Sequence, residues 1–202
     1  MKKIIITQRI DKVGKFNEIR DNLDIRFSKM IETLGMLPFV IPNNIKKTKI
    51  YLNKIKPDGI ILSPGGDSKK RDQRRKIEHL LINYSLKYNK PILGLCRGAQ
   101  AINLFFGGNI LKVKNHVKKM HKIEGKLIGK NKYLYVNSFH DYAIKYNSLG
   151  KNLETLAHTK DGSVECFQHK KKKILGIMWH PERYKKMKGF DKKIIKKFFK
   201  CN

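Results

Sequence analysis

The tightest constraint in the chain lies between Pro91 and Gln100, where a strand has to become a helix within one residue. Pro91 opens the short apolar run Ile92-Leu93-Gly94-Leu95, which reads as a buried strand. From Gly98 to Phe106, Ala99, Ile102, Leu104, Phe105 and Phe106 read as the apolar positions of a helix that Gly107-Gly108 stops. Cys96 sits at the junction, with Gly94 and Gly98 two residues away on either side. So abrupt a turn crowds those flanking positions, and a Cβ at either would collide. The sulfur is then held above the strand ends at a helix N-terminus, whose dipole and free N–H groups favour thiolate over thiol. A small core hydrophobe at a tight turn would use the same residues, so the elbow alone leaves two readings open.

The first half of the chain alternates strand and helix. Ile4 to Ile6 reads as a first buried strand, too short to be a signal peptide. A helix is predicted across 16–34, because Ile19, Leu23, Phe27, Met30, Ile31 and Leu34 keep helical spacing before Gly35. Strands at Leu37–Ile41 and Ile60–Leu62 flank a short helix around Ile50–Ile55, and a further helix spans Lys76–Tyr88. Such alternation implies a parallel sheet covered on both faces, with its site beyond the carboxyl ends of the strands. Beyond Gly108 the pieces are shorter and strand-rich, at Asn109–Val113, Leu127-Ile128, Tyr133–Asn137, Leu153–His158, Ser163–Gln168 and Ile174–Trp179. An amphipathic helix over Asp191–Lys200 closes the chain. The reading is one α/β domain over 1–202, a central mostly parallel sheet with a smaller strand-rich portion in its second half.

Trp179-His180-Pro181-Glu182 ends the apolar run Ile174–Met178, so His180 stands at another strand's carboxyl end. Pro181 keeps the preceding residue extended, and residues two apart in an extended segment point the same way. Glu182 can therefore orient the imidazole of His180, which supplies a thiol, a base and an acid for nucleophilic catalysis. A turn histidine and a helix-terminal charge are the blander readings of the same pair. Ser63-Pro64-Gly65-Gly66 follows a strand, and its backbone N–H groups, together with that of Arg97, can form an oxyanion hole. An ordinary strand-to-helix turn would also fit it.

Taken together, Gly94–Gln100, Pro64-Gly65-Gly66 and His180-Pro181-Glu182 resemble the class I glutamine amidotransferase superfamily, and within it the stand-alone γ-glutamyl hydrolases. Thr7-Gln8-Arg9, the 20–24 region, Val136–His140 and Asp161–Glu165 are similar to that branch as well, in the family's order. The resemblance implies a flavodoxin-like fold. It also implies Cys96 as nucleophile, His180 as base, Glu182 as third triad member, and Gly66 and Arg97 as oxyanion donors. Gly65, Gln100, Asn137, Ser138 and His140 match positions that hold substrate. The chain departs from many relatives at Asp141-Tyr142, where they carry a second histidine and a glutamine, and this bears on the leaving group. The implied reaction is γ-glutamyl amide hydrolysis through a glutamyl thioester, releasing glutamate and an amine or a phosphoramidate. The expected substrate is a γ-glutamyl nucleotide amidate in capsule biosynthesis, with glutamine in a two-chain synthase and a γ-glutamyl-GABA or polyamine conjugate as the alternatives.

The formal charge of +30 raises nucleic acid as a partner, but lysine supplies most of the 46 basic residues and is spread along the chain. A small anionic substrate uses the same field, so neither nucleic acid nor membrane is expected as a partner. Cys96, Cys166 and Cys201 have no disulfide-framework spacing, which points to a reducing cytoplasm. His116/His121 and Cys166/His169 have loose metal-like spacings without a completing cluster, so no metal or other cofactor is expected.

Overall fold

A computed structural model describes residues 1–201. Strand β1 (Lys2–Ile6) leads into a hairpin, β2 (Arg9–Val13) and β3 (Glu18–Asn22), then α1 (Ile25–Thr33), β4 (Met36–Val40) and α2 (Ile45–Ile55). Next come β5 (Gly59–Leu62), α3 (Gln73–Tyr88), β6 (Ile92–Leu95) and α4 (Arg97–Phe105). The second half holds β7 (Leu111–Lys112), β8 (Val117–Ile123), β9 (Leu134–Phe139) and β10 (Tyr142–Ala143). It continues with β11 (Leu153–His158), β12 (Val164–His169) and β13 (Ile174–Ile177), and α5 (Gly189–Phe199) closes it. Among the described residues no helix is long and apolar enough to cross a membrane.

One seven-stranded sheet organises these elements in the order β11-β12-β13-β6-β5-β1-β4. Strands β13, β6, β5, β1 and β4 run parallel, while β12 is antiparallel to both of its neighbours. Alternation along the central strands sends side chains to two separate cores. Ile4, Ile6, Ile61, Leu93, Leu95 and Ile177 pack against Phe27, Met30 and Ile31 of α1 and Ile195 and Phe199 of α5. On the other face Ile5, Ile60, Leu62, Ile92 and Ile174 meet Leu52 of α2, Ile77 and Leu81 of α3, and Ala99 and Ile102 of α4. The topology fixes the site, because β5, β6 and β13 are adjacent and parallel and their carboxyl ends open side by side.

Two expectations from the sequence need correction. The predicted helix over 16–34 begins only at Ile25, since 9–22 folds as a hairpin turning through Gly14 and Asn17, both at positive φ. Asp24 starts the helix by accepting a hydrogen bond from the Arg26 N–H, and Phe16 and Ile19, at 89% and 73% exposed, belong to no buried face. Leu127-Ile128 lies in a turn rather than a strand, closed by Ile128 N–H to Gly125 O. In place of that strand β8 forms earlier, paired antiparallel with β9 in a sheet of two.

Candidate active site

The elbow is built as the glycine argument requires. A Cβ on Gly94 would lie 2.5 Å from the backbone carbon and oxygen of Gly98. A Cβ on Gly98 would run into the carbonyl of Leu62 on β5, so the second glycine clears the neighbouring strand rather than the first glycine. Cys96 itself adopts φ 48 and ψ −103, a conformation whose strain is on the order of 1–3 kcal/mol. Packing holds it there: the Cys96 N–H donates to Ile177 O on β13 at 2.7 Å, and its carbonyl accepts from the Gln100 N–H at 3.0 Å.

His180 reaches the elbow from the end of β13. Its Nδ1 is 2.7 Å from Glu182 Oε1, and its buried Nε2 has no hydrogen-bond partner among the described residues. Burial works against the imidazolium, but the Cys96 sulfur and the Glu182 carboxylate favour it more strongly and push its pKa up to about 9. The folded value lies above the ordinary 6.5, so this pairing stabilises the fold fully below pH 6.5 and is lost as pH rises through about 9. Urea denaturation across that window should show native protein losing its stability advantage over His180→Gln as pH rises. An advantage that stays level or grows would refute the pairing.

Two features hold His180 in place. Asn137 on β9 clamps its backbone from both sides, donating from Nδ2 to His180 O at 2.9 Å and accepting the His180 N–H on Oδ1 at 2.8 Å. Beside it, Trp179 Nε1 donates to Asp191 Oδ1 at 2.8 Å and ties the end of β13 to α5. Glu182 is buried, with Arg183 Nε 3.8 Å from Oε1.

Gly65 and Gly66 lie at the end of β5 with φ of +83 and +80, a conformation that favours glycine. Neither the Gly66 nor the Arg97 N–H is engaged in a hydrogen bond among the described residues, so both remain available as donors. Arg74, which sequence reading missed, shapes this loop from below. Its guanidinium donates to Gly65 O at 2.7 Å and to Ser63 O at 2.5 Å. Glu78 neutralises it at 3.0 Å and also pairs with the Arg97 side chain, all three groups being buried. The i,i+4 spacing of Arg74 and Glu78 on α3 was the available signal, but an exposed helix pair has the same spacing.

The remaining expected site residues separate into two groups. Gln100 lies one turn into α4, donating from Nε2 to Tyr142 O at 2.7 Å and accepting from Ser68 Oγ at 2.6 Å. Asn137 has its side chain committed to His180, and Ser138 is fully buried with its hydroxyl donating to His116 O. His140 is also buried, but it faces His116, His121 and Glu165. The expectation that His116 and His121 lack a completing cluster is therefore corrected. The fold brings His140 and Glu165 to them from other strands.

The assembled geometry places a thiol, an imidazole backed by a carboxylate, and two free N–H donors at three adjacent strand ends, the parts that acyl transfer requires. Comparison with known proteins agrees with this architecture. The family model for glutamine amidotransferase class-I matches residues 23–201. A γ-glutamyl-CDP-amidate hydrolase from Campylobacter jejuni is 34% identical, covering 96% of both chains. Anthranilate synthase component 2 from Cyanophora paradoxa is also 34% identical, over 90% of this chain and 96% of its own. Among solved structures, a GMP synthase chain from Thermoplasma acidophilum superposes with a TM-score of 0.73 at 24% identity, covering 99% of this chain and 93% of its own.

Proposed function

The chain belongs to the class I glutamine amidotransferase family, and from that premise we propose that it is a cysteine-dependent γ-glutamyl hydrolase whose nucleophile is Cys96. The observation that carries this reading is the alignment of Cys96, His180 and Glu182 at the ends of adjacent strands, with Gly66 and Arg97 N–H groups free beside them. In the first half-reaction the Cys96 thiolate attacks the γ-carbonyl carbon, and the carbonyl π electrons move onto oxygen. The oxyanion is received by the Gly66 and Arg97 N–H groups, each such donor being worth about 3–4 kcal/mol to the transition state. Collapse expels the leaving nitrogen, which takes a proton from the His180 imidazolium and leaves a glutamyl thioester. His180 then takes a proton from water as the water attacks the thioester, and glutamate leaves with the thiolate restored. Glu182 stabilises the imidazolium at each stage. Gly65 and Gln100 line the glutamyl end, and Asn137 serves it indirectly by fixing His180.

The proposed substrate is a γ-glutamyl nucleotide amidate, by analogy with the Campylobacter jejuni γ-glutamyl-CDP-amidate hydrolase, and a role in capsule biosynthesis is part of the same proposal. A local feature supports an anionic leaving group. The loop after Gly66 carries exposed Lys69, Lys70 and Arg71, and Ser68 of that loop is tied to Gln100. Lys69 Nζ sits 4.7 Å over the ring of Tyr142, whose carbonyl Gln100 also engages. The free cysteines suit a reducing compartment, and we assign the reaction to the cytoplasm.

The likeness to anthranilate synthase component 2 favours a second reading, a glutaminase that passes ammonia to a separate synthase chain. One panel separates the two: glutamate release from γ-glutamyl-CDP-amidate, γ-glutamyl-GABA, γ-glutamyl-putrescine and free glutamine, with purified protein alone. The expected outcome is release from the nucleotide amidate far above that from glutamine. Release from glutamine alone, or from none of the four until a synthase is added, would overturn the stand-alone reading.

A further inference from the structure

Four buried side chains converge away from the thiol. His116 precedes β8, His121 lies on it, His140 follows β9, and Glu165 reaches across from β12 of the main sheet. One potential ligand atom from each lies within 4.8 Å of those of the other three. The imidazole rings of His121 and His140 lie 4.4 and 5.1 Å from that of His116, and Glu165 serves two of the three, with His121 Nδ1 2.8 Å and His140 Nε2 3.5 Å from its Oε1. Much of the cluster's hydrogen-bonding capacity is left over. His116 Nδ1, both ring nitrogens of His140 and Glu165 Oε2 are buried without a partner among the described residues. Buried polar atoms are nearly always satisfied, and so many orphans in one place call for a ligand that accepts lone pairs.

We propose that His116, His121, His140 and Glu165 form a binding site for one divalent transition-metal ion, with zinc as its natural occupant. Three imidazoles and one carboxylate suit zinc and disfavour calcium or magnesium, which prefer all-oxygen shells. Bond lengths of about 2.0–2.2 Å put tetrahedral ligand atoms roughly 3.3–3.5 Å apart, so the side chains need draw in by only about 1 Å. The surrounding shell is also of the right kind. His116 presents Nε2 to Asp161 Oδ2 at 3.2 Å, which leaves Nδ1 as the free lone pair, and Lys145 and the Ser163 N–H hold that carboxylate in turn. With four buried protein ligands the site is closed and keeps no position for substrate. Its effect is positional: β8 and β9 form a separate two-stranded sheet, bridged to the main sheet at Glu124 and His158, and the ion pins the hairpin to β12 as well. That hairpin carries Asn137, the clamp on His180.

The test uses the full chain. Metal analysis of protein expressed with zinc should find about one equivalent per chain that survives gel filtration. After chelation, added Zn²⁺ should raise the melting temperature, and Co²⁺ should give visible d–d bands of a tetrahedral nitrogen and oxygen site without thiolate charge transfer. Cys96→Ala should bind as native does, while His140→Ala and His121→Ala should lose the equivalent. Should those variants fail to fold, the cobalt spectrum of native protein decides alone. Native protein that takes up neither ion, or zinc lost in Cys96→Ala but kept in His140→Ala, would overturn the proposal.

Discussion

Cys96→Ala is expected to lower glutamate release by about 10⁴-fold or more while leaving the melting temperature within a few degrees of native. In enzymes of this logic the nucleophile and its base act as a unit, and losing either forfeits nearly the whole effect of the triad. What survives is the contribution of the Gly66 and Arg97 donors, which act on the oxyanion whatever attacks the carbonyl. Alanine can occupy the elbow, since the backbone bonds from Cys96 to Ile177 O and from Gln100 to Cys96 O use no side-chain atom. Substrate binding should therefore persist in the variant, so the loss falls on kcat. Single-turnover measurement on the native protein should in addition trap a glutamyl thioester that the variant cannot form. A loss smaller than about 10-fold would remove Cys96 from the chemistry.

Glu78→Ala is expected to destabilise the fold by roughly 3–5 kcal/mol, because it leaves two guanidinium groups buried without their shared counterion. Glu78 is fully buried and pairs with both Arg74 and Arg97. The only other acid near either, among the described residues, is Asp72, 3.9 Å from Arg97. For a chain of this size the loss corresponds to a fall of about 10 °C in melting temperature. Activity should drop beyond what unfolding explains, since Arg74 holds the carbonyls of Ser63 and Gly65 that set the direction of the glycine loop. Glu78→Gln keeps the shape but not the charge and should lie between the two. Calorimetry showing a shift under about 2 °C for the alanine variant would mean the pair is dispensable.

The sequence made the parallel half of the sheet legible because its signals are local. A four-residue apolar strand, a glycine pair about a cysteine and a helix stop can each be read within about ten residues. Misreading 16–24 as helix has an equally local cause. Ile19 and Leu23 happen to continue the period of α1, and nothing in the spacing says that Ile19 is exposed. Strand β8 was invisible because most of Val117–Ile123 faces solvent and carries lysine, so the alternation that marks a half-buried strand is absent. The proposed triad residues stand in two separated motifs, each placed at the end of an apolar run. Arg74–Glu78–Arg97 and the histidine cluster were not legible in this way, since Arg97 reaches the Arg74–Glu78 helix pair, and His140 and Glu165 reach His116 and His121, only through the tertiary fold. Glu165 meets His121 only because β12 lies beside the β8–β9 hairpin, and linear spacing carries no trace of that.

The pairing of β6 with β13 has a consequence for how the protein is born. These strands stand side by side in register, Gly94 opposite Gly176, though roughly 80 residues of chain separate them. During synthesis the elbow cysteine therefore emerges long before the strand that delivers its imidazole and carboxylate. Until that last strand docks, the thiol has neither the Ile177 carbonyl that fixes its backbone nor His180 to accept its proton. A ribosome-bound chain stalled ahead of Ile174 should thus carry a cysteine of ordinary reactivity. On the proposed mechanism, activation of the thiol is then tied to completion of the sheet.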